Sequence, residues 1–319
     1  MVLVTASAEG RSGIGWTYGP AACAAVVRDE LAPAVADLSA FEIPAALAAM
    51  VRGIRNAGRG GVAGYAISAV ETALWDLKAR LLDVPLCWLL GPARASAPVY
   101  ASGGFTSYTD HELAAWIASV DEPRVKIKIG TDVSRVRLAR DALGPDRALF
   151  VDANGAYRPK EAIRVGRELE EQGVTWFEEP VSSDDLAGLR RVREALSCDV
   201  TAGEYGHDLP YFRRMAGAVD CLQVDITRCG GVLEWQRAAA VAAAHGLEVS
   251  AHCAPQLHLH AALATPNLRH LEWFHDHVRI ESMFFDGFRE PEDGELRPDL
   301  SRPGLGLDLR TADAAKYLV

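Results

Sequence analysis

Basic and acidic side chains recur between residues 126 and 272 at intervals that suit one strand and one helix. In order, they are Lys126, Lys128, Asp152, Glu178, Glu204, Asp225, His252 and Glu272. From Lys128 onward, successive members lie 20 to 27 residues apart, and each ends or closely follows a short apolar run typical of a buried strand. Side chains of these types could bind a cation, move a proton and stabilise an anion.

Three of the carboxylates form a predicted metal site. Asp152, Glu178 and Glu204 follow three consecutive predicted strands, and together they offer the hard oxygen ligands that Mg²⁺ prefers. A cation held there could bind a substrate carboxylate and stabilise the enediolate that forms when the proton alpha to it leaves. We therefore predict Mg²⁺ as the cofactor and a small carboxylate as the substrate.

The remaining members suit acid/base chemistry. Lys126 and Lys128 are two apart on one strand, so both point to the same face. Because like charges disfavour full protonation, we expect a lowered pKa for Lys128, which could then act as a base while Lys126 contacts the substrate carboxylate. Asp225 and His252 could form a dyad that orients the imidazole. A protonated Glu272 could donate a hydrogen bond to the enediolate.

Each of these residues, taken alone, has an ordinary structural explanation. A carboxylate after a strand usually caps the next helix or is solvated, and a Lys-x-Lys pair is usually exposed. Asp225 could form a turn before two glycines, and His252 could be a packed core histidine. The series favours function because successive strands deliver a suitable group at the same end.

Four further residues are candidate substrate contacts, and each lies at or just past the end of a predicted strand. They are Ser102, Asn154, Tyr205 and Arg228. Asn154 could equally form a turn, Tyr205 could serve only the loop, and Arg228 could be a surface charge. These assignments depend on the fold that brings them together.

The elements that would position these side chains alternate between strand and helix. Short apolar strands are predicted at 99–102, 125–129, 148–151, 175–177, 200–202, 221–224, 247–250 and 270–271. Such alternation indicates a parallel sheet, and eight strands favour a closed barrel, whose active site lies at the C-terminal ends of the strands. Residues 1–97 read as a separate α+β domain, 98–290 as the barrel, and 291–319 as a tail rich in Pro and Gly.

Composition excludes several classes of protein. Hydrophobic residues make up 49% of the 319 residues and charged residues 24%, which is usual for a globular protein. The net charge of −10 and the lack of a basic stretch argue against a nucleic-acid partner. We see no leader peptide and no membrane-spanning run. Six scattered cysteines without a C-x-x-C pair favour a reduced, cytoplasmic protein.

The ordered motifs resemble those of the enolase superfamily, mandelate racemase subgroup. The matching stretches are 125–130, 151–154, 176–180, 203–204, 225–231, 250–252, 264–266, 271–272 and 316–319. The resemblance implies a modified (β/α)7β barrel of the TIM type, an α+β capping domain to which the tail returns, and the metal and acid/base roles given above. It also implies a homo-oligomer. Family members usually begin with a further strand and a mobile closing loop, so we expect a capping domain truncated at its N-terminus.

The resemblance also ranks the possible reactions. Most members of this subgroup dehydrate acid sugars to 2-keto-3-deoxy acids, so dehydration is the first expectation. Racemisation or epimerisation of a 2-hydroxy acid by a Lys128/His252 two-base pair is the second. A muconate-type cycloisomerase is disfavoured, because the resemblance to that subgroup would imply a lysine on each side of the site, whereas here the base opposite Lys128 is His252. A catalytically silent barrel is the third hypothesis, because the closing loop is expected to be missing.

Overall fold

The computed structural model describes residues 1–318. Its N-terminal capping domain starts with an antiparallel hairpin. Its strands are β1 (Val2–Ala8) and β2 (Arg11–Thr17). The helices that follow are α1 (Ala22–Val26), a π-helical turn (Val27–Leu31), α2 (Ala32–Val35), α3 (Ile43–Gly53), α4 (Val62–Leu81) and α5 (Leu86–Leu90). Pro33, which has no N–H with which to continue an α-helical pattern, lies in the first turn of α2, directly after the π-helical turn.

The hairpin packs directly on the long helix α4, and two glycines in β2 allow this. A Cβ atom on Gly13 would lie 2.1 Å from the backbone nitrogen of Leu77, and one on Gly15 would lie 2.3 Å from the backbone oxygen of Ala69. Side chains at these positions would push the strand away from the helix. The glycines therefore fix how closely the capping sheet approaches α4.

Eight parallel strands form the closed barrel that the sequence predicts. They are β3 (Ala97–Gly103), β4 (Arg124–Lys128), β5 (Ala148–Asp152), β6 (Val174–Glu178), β7 (Asp199–Ala202), β8 (Cys221–Val224), β9 (Glu248–Ala251) and β10 (Leu268–Phe274). Each pairs in parallel with the next, and β10 returns to β3, with Phe274 opposite Ser102. This pairing closes the barrel and confirms the predicted fold class.

Seven helices connect these strands and cover the outside of the barrel. They are α6 (Asp110–Ala118), α7 (Ser134–Leu143), α8 (Pro159–Glu171), α9 (Leu186–Arg193), α10 (Leu209–Met215), α11 (Val232–Ala244) and α12 (Pro255–Leu263). Helix α8 shows why: Ala162, Val165, Gly166 and Leu169 recur at helical spacing and are all buried. Pro159 suits its first turn, where no N–H is needed.

An aromatic layer fills the interior of the barrel and supports the polar side chains above it. Tyr100, Phe150, Trp176 and His270 pack together, with ring centroids 5.1 Å apart for Trp176 and His270. Alternate residues on a strand share a face, so the residues two further along each strand form the next layer. Those residues are Ser102, Asp152, Glu178 and Glu272.

The C-terminal part of the chain crosses back to α4. It contains α13 (His275–Phe284), β11 (Phe285–Asp286), β12 (Glu295–Leu296), β13 (Asp308–Leu309), α14 (Thr311–Ala314) and a 3₁₀ turn (Ala315–Tyr317). Asp76 of α4 accepts hydrogen bonds from the backbone N–H groups of Leu305 (2.6 Å) and Ile14 (2.8 Å). One buried carboxylate therefore joins the tail, the hairpin and the long helix.

The helices and cysteines carry two further findings. Within residues 1–318, no helix combines the length and apolar character needed to cross a membrane. All six cysteines are buried free thiols.

Candidate active site

The polar layer lies at the C-terminal rim of the barrel because of strand register. Lys128 at the end of β4 is paired with Asp152 at the end of β5, and Asp152 is paired with Glu178 at the end of β6. Glu204 follows two residues after β7, and His252 comes directly after β9. The structure therefore gathers at one rim the residues that the sequence singled out.

Lys126 is enclosed by two carboxylates below the rim. Its Nζ atom lies 2.6 Å from Glu178 Oε2 and 2.7 Å from Glu272 Oε1, and all three side chains are buried. Burial alone would lower the pKa of Lys126, but the carboxylates outweigh burial and raise its pKa well above the ordinary value. Its ammonium thus neutralises charge in the interior.

Lys128 differs from the sequence expectation. Its ammonium contacts the Asp152 carboxylate and is only slightly exposed. Burial and the neighbouring Lys126 act to lower its pKa, but Asp152 outweighs them, and the pKa of Lys128 is raised. The expectation of a lowered pKa was wrong because it considered the adjacent lysine and omitted the carboxylate on the next strand.

His252 lies between three carboxylates. Its Nδ1 is 2.8 Å from Asp225 Oδ2, and its Nε2 is 3.1 Å from Glu204 Oε2 and 4.0 Å from Glu272 Oε2. Burial opposes the charged imidazolium, but the adjacent acidic groups raise the pKa of His252 well above its ordinary value. The predicted proximity of Asp225 and His252 is present in the structure.

Arg228 completes this side of the rim. Its guanidinium bridges Glu204 Oε1 (3.1 Å) and Asp225 Oδ2 (3.2 Å). Burial would raise the pKa of Asp225, yet the hydrogen bond with His252 and the charge of Arg228 lower it to about 2. Arg228 is therefore part of the rim's charge network and not an isolated surface charge.

Glu272 also departs from the sequence expectation. Its Oε1 accepts a hydrogen bond from Ser102 (2.6 Å), and its Oε2 accepts one from the Cys253 N–H (2.8 Å). Burial favours the neutral acid, but Lys126 and His252 outweigh it and lower the pKa of Glu272. The expectation that Glu272 is protonated was wrong, because each oxygen already accepts a hydrogen bond from a neighbour.

The other candidate substrate contacts differ in how far they are already engaged. Asn154 folds back onto Asp152, donating from its N–H (2.7 Å) and its side-chain amide (3.2 Å). Tyr205 is 45% exposed and lies beside Arg228, whose guanidinium carbon is 5.3 Å from its ring centroid. The Ser102 hydroxyl already donates its hydrogen bond to Glu272. Tyr205 and Asn154 are therefore both exposed, whereas Ser102 is buried.

Sequence reasoning missed Glu179, the second acid of Glu178-Glu179-Pro180. It is 3% exposed, and its Oε1 has no hydrogen-bond partner in the described part of the chain. Burial and the nearby Glu204 raise its pKa to about 9. It borders a cavity of 440 Å³ lined also by Asn154, Gly155, Ser182, Ser183, Asp184 and Tyr205. The doubled acid before a proline was the available signal.

Sequence reasoning also missed the capping domain's reach into the site. Tyr18 stacks on His277 with ring centroids 3.4 Å apart, and His277 Nδ1 accepts a hydrogen bond from Ala254, two residues after His252 (3.2 Å). Burial lowers the pKa of His277 to about 3, which keeps it neutral. No spacing along the chain links Tyr18 with His277, so only the fold reveals this contact.

The three predicted metal ligands have the donor chemistry of a hard divalent cation. Asp152 and Glu178 are fully buried, and Glu204 is 4% exposed. Glu204 Oε2 accepts no hydrogen bond from the described residues, although His252 Nε2 is nearby. An all-oxygen set of anionic ligands suits Mg²⁺ better than a soft metal. The residues present therefore fit such an ion.

Family models match both the capping domain and the barrel of this chain. Residues 1–91 match the family model described as "Mandelate racemase / muconate lactonizing enzyme, N-terminal domain", and residues 111–314 match the one described as "Enolase C-terminal domain-like". An L-talarate/galactarate dehydratase of Salmonella typhimurium is 34% identical over 80% of this chain. That match spans 65% of the dehydratase's own length, which is less than two thirds.

Two solved structures are similar along almost the whole chain. A mandelate racemase/muconate lactonizing enzyme-like protein from Rubrobacter xylanophilus is 46% identical, with a TM-score of 0.96, covering 98% of this chain and 90% of that one. A racemase from Streptomyces coelicolor, solved with bound magnesium, is 30% identical, with a TM-score of 0.92, covering 99% and 92%.

Proposed function

We propose that this chain, which belongs to the mandelate racemase/muconate lactonizing enzyme family of the enolase superfamily, removes the proton alpha to the carboxylate of a small hydroxy acid. The reaction we favour is dehydration of an acid sugar to a 2-keto-3-deoxy acid by way of an enediolate. The observation that carries the proposal is the placing of two proton-carrying side chains, Lys128 and His252, beside three buried carboxylates at one rim. The similarity to an acid-sugar dehydratase supports it.

Asp152, Glu178 and Glu204 are the residues that would hold Mg²⁺ in this proposal. The magnesium bound to the similar Streptomyces racemase supports this choice of ion. When bound, such an ion offsets the negative charge that develops on a substrate carboxylate. Lys126 serves by neutralising Glu178 and Glu272 beneath the site.

Lys128 and His252 would carry the protons. Their strands, β4 and β9, are three strand positions apart around the closed barrel, so the two side chains approach the centre from different sides. Asp225 holds Nδ1 of His252 and leaves Nε2 for the substrate. One of the two groups, once neutral, takes the alpha proton, and protonated His252 gives a proton to the departing beta hydroxyl, which leaves as water.

Asn154 and Tyr205 are our proposed contacts for the rest of the substrate, because both line the 440 Å³ cavity beside the rim. That cavity is polar, with two serines and two acids among its lining residues. Such a surface suits the hydroxyl groups of a sugar acid. Ser102 and Arg228 instead act through the carboxylates that they contact.

Racemisation or epimerisation of a 2-hydroxy acid is the second candidate. Two proton carriers on different sides of the centre could add a proton to either face of the enediolate. The similarity to a structure described as a racemase favours this candidate. It differs from dehydration in keeping the beta substituent.

A screen of acid sugars with Mg²⁺ tests these proposals. We expect 2-keto acid formation, and exchange of the alpha proton for deuterium in D₂O followed by ¹H NMR. Exchange or inversion without keto acid would favour racemisation. Lys128→Ala and His252→Asn should each reduce exchange at least about a hundredfold, whereas Glu248→Gln, at the opposite end of the barrel, should not. Absence of turnover and exchange with every substrate would overturn both proposals in favour of a silent barrel.

A further inference from the structure

Cys253 is a buried thiol beside the proposed acid/base histidine, and the chemistry proposed above gives it no role. We propose that Cys253, His252 and Glu272 form a second metal site, which takes Zn²⁺ or a similar borderline-soft divalent cation and inhibits the enzyme. The binding stands on its own geometry, while the inhibition rests on the proposed function of His252.

The donor atoms already have nearly the spacing that zinc requires. One donor atom from each of the three residues lies within 4.8 Å of the other two. Cys253 Sγ is 3.4 Å from His252 Nε2, which in turn is 4.0 Å from Glu272 Oε2. Ligand atoms around tetrahedral zinc are about 3.3–3.8 Å apart, given bonds of about 2.3 Å to sulfur and 2.0 Å to nitrogen or oxygen. The distance from Cys253 Sγ to His252 Nε2 already lies in this range, and the distance from His252 Nε2 to Glu272 Oε2 must shorten by less than about 1 Å.

The backbone holds the sulfur in this place at some cost. Cys253 and Ala254 adopt φ values of 55° and 40°, in the left-handed region that non-glycine residues rarely occupy. The Cys253 N–H donates to Glu272 Oε2 (2.8 Å), which ties the turn after β9 to β10. The conformation directs the thiol towards His252 Nε2 and not into the hydrophobic core.

The neighbouring Glu204 gives a second reason to expect a ligand here. Its Oε2 is buried and accepts no hydrogen bond from the described residues, yet lies 3.1 Å from the same His252 Nε2. Glu204 supplies the fourth donor when no Mg²⁺ is bound, and water takes that position when Mg²⁺ holds Glu204. Either arrangement has the four-coordinate form usual for protein-bound zinc.

Ligand type separates this site from the carboxylate triad. Zn²⁺ accepts sulfur and imidazole nitrogen, whereas Mg²⁺ requires oxygen ligands in near-octahedral geometry. Asp152 and Glu178 offer only oxygen and are absent from the cluster around the thiol. We therefore expect saturating Mg²⁺ to leave the thiol site open to a softer ion.

Occupancy would block proton transfer directly. The metal uses the lone pair of His252 Nε2, and Nδ1 is already held by Asp225 at 2.8 Å. His252 then has no nitrogen left to take or give a proton. The thiol gives up its own proton when it binds the metal.

Titration of the full chain with Co²⁺ in excess Mg²⁺ tests the site without reference to turnover. Co²⁺ resembles Zn²⁺ in size and gives a near-ultraviolet charge-transfer band when bound to a thiolate. We expect the band to saturate at one Co²⁺ per chain and to disappear in Cys253→Ser and Cys253→Ala. Cys198→Ser, which removes a buried thiol outside the site, should keep it.

Zn²⁺ should displace the bound Co²⁺ and abolish the band. It should also reduce alpha-proton exchange by the wild type, and at least about tenfold more zinc should be needed in Cys253→Ala. No band in the folded wild type, or a band that persists in both Cys253 variants, would overturn the site. A chain with the band and no turnover would count against the proposed function alone, and turnover that survives full occupancy would overturn the inhibition.

Discussion

Nδ1 of His252 and Oδ2 of Asp225 are 2.8 Å apart, and the other carboxylate oxygen of Asp225 accepts hydrogen bonds from the N–H and hydroxyl of Thr227, both at 2.7 Å. Because Asp225 is ionised, it can only accept, so the imidazole must present N–H at Nδ1. This contact fixes both the orientation of the ring and the nitrogen that faces the barrel centre.

Replacing Asp225 by Asn should therefore impair proton transfer with little change in shape. The amide can offer an N–H where the carboxylate accepted one, which favours the wrong tautomer of His252. We expect alpha-proton exchange to fall at least about a hundredfold, measured by NMR in D₂O alongside thermal unfolding. Thr227→Val is the control, since it removes one hydrogen bond to Asp225 but leaves its contact with His252. Equal rates for Asp225→Asn and wild type would exclude the proposed role.

Metal binding should stabilise the fold through the three rim carboxylates. Saturating Mg²⁺ at about a hundred times its dissociation constant adds about 2.7 kcal/mol to the free energy of unfolding. We expect Mg²⁺ to raise the thermal unfolding midpoint of the wild type, EDTA to reverse the shift, and Asp152→Asn to abolish it. Glu248→Gln alters a carboxylate that pairs with Arg269 away from the rim and should keep the shift. An unchanged shift in Asp152→Asn would contradict its assignment as a ligand.

The barrel and its rim could be predicted because strand periodicity fixes both. Once eight parallel strands are placed, residues two apart on a strand share a face, and the polar side chains at the C-terminal ends of the strands must lie together at one rim. The charge states of Lys128 and Glu272 could not be predicted, since they depend on cross-strand partners, Asp152 and Lys126, whose contacts no local pattern encodes. Contacts from the cap, such as Tyr18 on His277, depend on domain docking and were equally hidden.

The contact of Gly231 with the capping domain illustrates this docking. Glu71 of α4 accepts hydrogen bonds from the N–H groups of Val232 (2.7 Å) and Leu233 (3.0 Å), so a capping-domain carboxylate caps the barrel helix α11. Gly231 has φ 91° and ψ −160°, a conformation nearly restricted to glycine, and a Cβ atom there would lie 2.0 Å from Glu71 Oε2.

Gly231→Ala should consequently destabilise the protein. We expect a loss of about 3 kcal/mol or more, because backbone strain and the clash with Glu71 add. Gly246→Ala is the matched control, since Gly246 also has a positive φ (72°) but nothing lies within 4 Å of its Cβ position. Urea unfolding should show a clearly larger loss for Gly231→Ala. Equal losses would mean that strain alone acts and that the contact with Glu71 is unimportant.

Acid should weaken the protein through His260. Its Nδ1 accepts a hydrogen bond from the Cys87 N–H and its Nε2 donates to the Leu305 carbonyl, both at 3.1 Å, so the neutral ring links α5 to the tail. Burial lowers its pKa to about 4. Since the unfolded chain has an ordinary pKa near 6.5, this stabilisation is complete above that pH and is lost as the pH falls towards 4.

His260→Gln keeps one acceptor and one donor but cannot titrate. The difference in free energy of unfolding between wild type and variant should therefore shift against the wild type by up to about 3 kcal/mol between pH 7 and pH 4. Urea unfolding at a series of pH values measures it. A difference independent of pH would show that His260 does not titrate between the two states.

Lys126 should be needed for folding more than for chemistry. It is fully buried between Glu178 and Glu272, and removing one partner of a buried ion pair typically costs about 3–5 kcal/mol. We expect Lys126→Met to lower the free energy of unfolding by about that amount, and Lys128→Met, at the partly exposed rim, by less. Lys126→Met leaves the carboxylates of Glu178 and Glu272 without their cation. Adding Glu272→Gln removes one of these two unpaired charges and should restore part of the lost free energy of unfolding. If the double variant were less stable than Lys126→Met, charge compensation would not be the reason for this buried lysine.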